Sequence, residues 1–176
     1  MSKILYSDEI MRKIPDLAVG VLQGIMDDAG VDEVLITSTV RSPVDQARVM
    51  FNNLEAHGVA AQKMLYKLPG QEVIDVYASM RAMGHNAADT QAAMVQKILE
   101  LGSQNVSHHC VDPDVRSVFD VAPSSIPDLK RGSFVTAVSN CDQVDKFLQP
   151  PVDPAYHIEI PLGGDPEQTI TQPIGG

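Results

Sequence analysis

Residues 155–161, AYHIEIP, set His157 and Glu159 two apart with Ile158 and Ile160 alternating between them. On a strand, successive side chains point to opposite faces of the sheet. One face of this segment therefore carries ionisable groups and the other is apolar, so the segment needs both a core behind it and partners for its charges. A second short run, SVFDV at 117–121, places Asp120 inside an otherwise apolar strand. A buried carboxylate is costly enough to demand a partner, and a metal ion is one that can meet the demand.

The rest of the chain supplies helices. Leu17, Val21, Leu22 and Ile25 recur at helical spacing between Pro15 and Gly30, which predicts an amphipathic helix. Residues 33–39, EVLITST, are short and rich in β-branched side chains and read as a buried strand. Ser42 is an N-cap with Pro43 at the first helical position, opening a helix to about Ala56. Helices are expected at about 71–83 and 88–101, with Gly84 and Gly102 as stops. FVTAVSN, ending at Asn140, fits either period poorly and is assigned to helix. Residues 144–148 and 156–160 read as strands.

These elements predict one α+β domain over residues 1–160. Its sheet is expected to be small and mainly antiparallel, with helices on one side and a helical insertion at about 55–105. Residues 161–176, with three prolines and four glycines, are expected to be an extended or mobile tail.

Thirteen basic against 23 acidic side chains give a formal charge of -10. Such a chain repels nucleic acid and anionic membrane surfaces, so neither is an expected partner. No apolar run has the length of a signal peptide or a membrane span, which predicts cytoplasmic synthesis. Cys110 and Cys141 are read as free thiols. Cys110, beside two histidines, is also a soft donor available to a metal.

Of the histidines at 57, 85, 108, 109 and 157, His57 and His85 fall at predicted helix ends, where the helix dipole favours them. His109, Asp120 and His157 together offer two imidazoles and a carboxylate, a set suited to catalytic zinc with a fourth position left for water. Spacing alone leaves structural or surface roles open, because a His and an Asp separated by ten intervening residues match no general metal motif.

The blocks SHH (107–109), VFDVAP (118–123) and YHIEIP (156–161), preceded by TSTVRSPVDQA (37–47), occur in one order along the chain. In this they resemble the active-site blocks of the zinc DD-carboxypeptidases and L-alanyl-D-glutamate endopeptidases, the VanY-like and VanX-like enzymes that include many phage endolysins. The resemblance implies a hedgehog/DD-peptidase fold, zinc held by His109, Asp120 and His157, and hydrolysis of an amide in a peptidoglycan stem peptide. His109 rather than His108 matches the Ser-x-His register.

By the same resemblance Arg41 supports the oxyanion, and Gln46 and Ser107 contact substrate. The family's acidic base stands three residues before the last His, where this chain has Pro154. The role is divided between Asp153 and Glu159, and Glu159 has the further option of orienting His157. The gap between His109 and Asp120 is longer than the family's, which a loop at 112–114 can absorb. Without a signal peptide, such an enzyme acts on the wall after release or export. The rival reading is a non-catalytic metal-binding or virion structural protein on the same fold.

Overall fold

The computed structural model describes residues 2–163. The elements run β1 (Lys3–Tyr6), α1 (Asp16–Ala29), β2 (Glu33–Ser38), α2 (Pro43–His57), α3 (Val59–Leu65), α4 (Leu68–Ala82), α5 (Ala87–Leu101), α6 (Ser103–Val106), β3 (Arg116–Val121), α7 (Asp128–Asn140), β4 (Lys146–Leu148) and β5 (Tyr156–Pro161). The fold is α+β. The chain divides into two units, one formed by the residues up to Val40 with those from Asp112, the other by Arg41–Val111. The tail expected at 161–176 lies outside the described residues beyond Gly163.

The first unit holds the sheet, in the order β1-β2-β3-β5-β4. Its sheet is mixed rather than the mainly antiparallel one expected. β1 runs parallel to β2, while β2–β3, β3–β5 and β5–β4 are antiparallel. The parallel pair arises because β1, which the pattern reading passed over, is joined to β2 through α1, and parallel neighbours need such a crossover. Pro15 precedes α1, and Gly30 ends it at φ 66°, a left-handed conformation that glycine adopts without strain.

Alternation then sorts the strand residues. Val34 and Ile36 on β2, Phe119 and Val121 on β3, and Tyr156, Ile158 and Ile160 on β5 join Leu22, Ile25 and Met26 of α1 and Phe134 and Val138 of α7 in one buried core. The opposite face of β3 and β5 carries Asp120, His157 and Glu159, with Asp120 paired across the ladder to His157. A register shift between Ile36 and Ser38 brings Ser38 opposite Asp120. Such a bulge moves a residue that strict alternation would send into the core onto the polar face.

The second unit is helical. Ser42 caps α2 by accepting from the Asp45 amide, with Pro43 in the first turn, as its sequence predicts. Met50, Phe51 and Leu54 of α2 pack with Val73, Ile74 and Tyr77 of α4 and with Met94 and Ile98 of α5. The segment read as two helices holds four, because the short α3 and α6 give too few turns to show a period. Among the described residues no helix is long and apolar enough to cross a membrane.

Candidate metal centre

His157 lies near the start of β5, 2% exposed, with each ring nitrogen facing a carboxylate oxygen. Nδ1 is 2.9 Å from Asp120 Oδ1 and Nε2 is 3.1 Å from Glu159 Oε1, a pairing that both N–H groups of an imidazolium satisfy. Burial opposes that charge, but the hydrogen bond and charge of Asp120, and then those of Glu159, outweigh it and raise the His157 pKa above its ordinary value.

Glu159 is held from three directions. Its Oε1 also accepts from Lys146 Nζ at 3.1 Å and its Oε2 from Arg116 Nη1 at 3.0 Å. Burial pushes its pKa up, yet hydrogen bonds from His157 and Lys146 and their charges prevail, and the net shift is downward. Arg116 is paired in turn with Asp145. Lys146 and Glu159 are direct cross-strand partners, and Arg116 stands two residues before Val118, which faces Glu159. Neither cation was foreseen. Their relation to Glu159 depends on strand register, and the only local signal was a basic residue at the start of each strand.

His109 is buried, whereas its neighbour His108 is exposed, and it is His109 that groups with Asp120 and His157. One donor atom from each of the three lies within 4.8 Å of the others. Zinc–ligand bonds of about 2.0–2.2 Å in a tetrahedral array set donor atoms roughly 3.3–3.6 Å apart, a spacing inside the 4.8 Å that bounds the three atoms here. The donor types fit as well. With Nε2 turned to Glu159, the His157 nitrogen left for a metal is Nδ1, the one beside Asp120. This buried His–Asp–His group can hold a metal ion.

The other predicted residues are placed by their local contacts and lie outside the three-residue group. Ser107 ends α6, and its hydroxyl accepts from the His109 amide at 3.3 Å, so it shapes the turn that presents His109. The Arg41 amide donates to the His109 carbonyl at 2.7 Å, and its guanidinium donates to Gln46 Oε1 at 3.3 Å. Gln46, buried in α2, donates at 3.4 Å to the hydroxyl of Tyr66, a residue that pattern reading missed. The Tyr66 ring is seated over Gly70, where a Cβ would come within 2.5 Å of it. Asp153 sits in the loop before β5, its Oδ1 accepting from the Ala155 amide at 2.9 Å. Between His109 and Asp120 the chain turns at Asp112, whose carbonyl accepts from the Val115 and Arg116 amides.

Cys110 lies outside the metal group. Burial pushes its thiol up to about 11, against the Arg41 charge, which lowers it, and with the Asp45 charge, which raises it further. At pH 8 such a thiol is only about one part in a thousand thiolate. Iodoacetamide labelling read by peptide mass spectrometry should therefore leave Cys110 essentially unmodified at pH 8, with the rate climbing as pH approaches 11. Rapid labelling at pH 8 would show that the thiol is neither buried nor protonated.

No protein-family model, curated protein or solved structure matches this chain.

Proposed function

We propose that the chain is a zinc-dependent peptidase of the DD-carboxypeptidase and L-alanyl-D-glutamate endopeptidase type, acting on peptidoglycan stem peptides after release or export to the wall. The observation that carries this reading is the buried group of His109, Asp120 and His157, assembled from blocks in the order that family shows. Zinc in a set of two imidazoles and one carboxylate supplies a Lewis acid for an amide carbonyl and for the attacking water.

The chain's residues divide the remaining work. Asp153 takes the proton that the attacking water loses and returns it to the leaving amine. Glu159 is less suited to that task, because both of its oxygens are engaged, by Arg116, Lys146 and His157. Arg41, its guanidinium steadied by Gln46 and its amide by the His109 carbonyl, offers positive charge to the oxyanion of the tetrahedral intermediate. By the family resemblance, Gln46 and Ser107 would contact the bound peptide.

The commitment of Glu159 to ion pairs also favours a second reading, a metal-binding protein of the same fold without catalysis, since it leaves one acidic base candidate where the family has a dedicated one. Zinc-loaded protein incubated with a stem pentapeptide, with products read by mass spectrometry, separates the two. Release of D-alanine, or cleavage between L-alanine and D-glutamate, is the expected result. An intact peptide at stoichiometric zinc would overturn the peptidase reading and leave the second.

A further inference from the structure

Glu159 is a nearly buried carboxylate on the polar face of β5, and a buried carboxylate has to be compensated where it stands. Lys146, opposite it on β4, and Arg116, one step along the same face of β3, supply two cations at 3.1 and 3.0 Å. These contacts fix the carboxylate from both sides, and the direction left to it is the one it takes, toward His157 Nε2 at 3.1 Å. A carboxylate accepting from one ring nitrogen decides which nitrogen of a neutral imidazole carries the proton and which is free to bind a metal.

We infer that Glu159 is a positioning residue for metal binding, and that Arg116 and Lys146 act on the metal through it by holding its carboxylate against the His157 ring. The inference rests on the metal-binding part of the proposed function and deepens it. It assigns a function to a network of charges that the hydrolytic scheme does not use. Two cations this close to a metal repel it, so their presence needs a reason other than direct attraction. Fixing the one carboxylate that orients a ligand is such a reason.

The test is titration of the full chain with Co²⁺ as probe, followed by visible absorption and by competition with a chelator of known affinity. Glu159→Ala should weaken Co²⁺ binding by about 10- to 100-fold, the usual cost of removing a carboxylate behind a ligating histidine. Glu159→Gln should recover part of that loss, since an amide oxygen still accepts from Nε2–H.

Arg116→Met should weaken binding when Glu159 is present and cause no further loss in the Glu159→Ala background, whereas Arg116→Lys should retain most of the affinity. Melting of each metal-free variant, followed by circular dichroism, identifies any that fail to fold, and for those the Glu159→Gln and Arg116→Lys results decide. A parent chain that binds no Co²⁺ would refute the metal reading and this inference together. A parent that binds Co²⁺ with an affinity indifferent to Glu159→Ala, or one that tightens equally in both backgrounds on Arg116→Met, would refute this inference alone.

Discussion

His157→Ala is expected to abolish stoichiometric metal binding while leaving the chain folded. The parent, loaded with zinc and dialysed, should retain about one ion per chain by elemental analysis, and the variant essentially none. His157 is the hinge of the donor set, flanked by Asp120 at 2.9 Å and Glu159 at 3.1 Å, and its loss leaves one imidazole and one carboxylate, too few to keep zinc. The fold should survive, because Glu159 keeps Arg116 and Lys146, while the Asp120 side chain is 17% exposed and open to hydration.

The same loss should show in melting. A ligand that binds only the folded state at a hundredfold excess over its Kd adds about 2.7 kcal/mol, on the order of 5–10 °C for a chain of this size, and the variant should gain nothing from zinc. Full zinc content in His109→Ala, Asp120→Ala and His157→Ala alike would sink the donor assignment.

The pH dependence of this site has opposite signs with and without metal. The His157 pKa is raised in the folded chain, so in the absence of metal its contribution to stability is full below the unfolded value near 6.5 and is lost as pH rises through the higher folded value. Metal requires the ring deprotonated, so protons compete with it, and its affinity should fall with acidification through the same window.

The two halves of the donor set were legible to different degrees. AYHIEIP and SVFDV show their faces directly, because period-two alternation in a half-apolar run leaves few ways to arrange His157, Glu159 and Asp120. Caps do the same for α1 and α2, where Gly30 and Ser42–Pro43 state their positions locally. What stayed hidden depends on pairing across long sequence separations. Lys146 opposite Glu159 requires knowing that β4 and β5 are neighbours, and in what register. Ser38 faces Asp120 only because of the bulge after Ile36. KILY, a half-exposed strand of four residues at the sheet edge, has neither the length nor the burial to print a pattern, and it is the element that makes the sheet mixed.

Asp153→Asn is expected to lower peptide turnover by about 10²–10⁴-fold, the usual worth of a positioned proton acceptor, while zinc content and melting stay at parental values. The isosteric amide is the informative change at this position. The Asp153 side chain accepts from the Ala155 amide at 2.9 Å, and an asparagine carbonyl can accept the same bond, so the turn leading into β5 is preserved. The amide cannot take the proton that the attacking water gives up at neutral pH.

Glu159→Gln provides the contrast. Its carboxylate is bound to Arg116, Lys146 and His157, so its loss should register first as weaker metal binding and only through that as slower turnover, recoverable with excess zinc. Turnover per bound zinc is therefore the quantity to compare. A collapse confined to Asp153→Asn makes Asp153 the base, whereas a collapse in Glu159→Gln that saturating zinc fails to rescue would move the base to β5. Parental turnover in both variants would remove acid–base catalysis by either carboxylate and take the proposed mechanism with it.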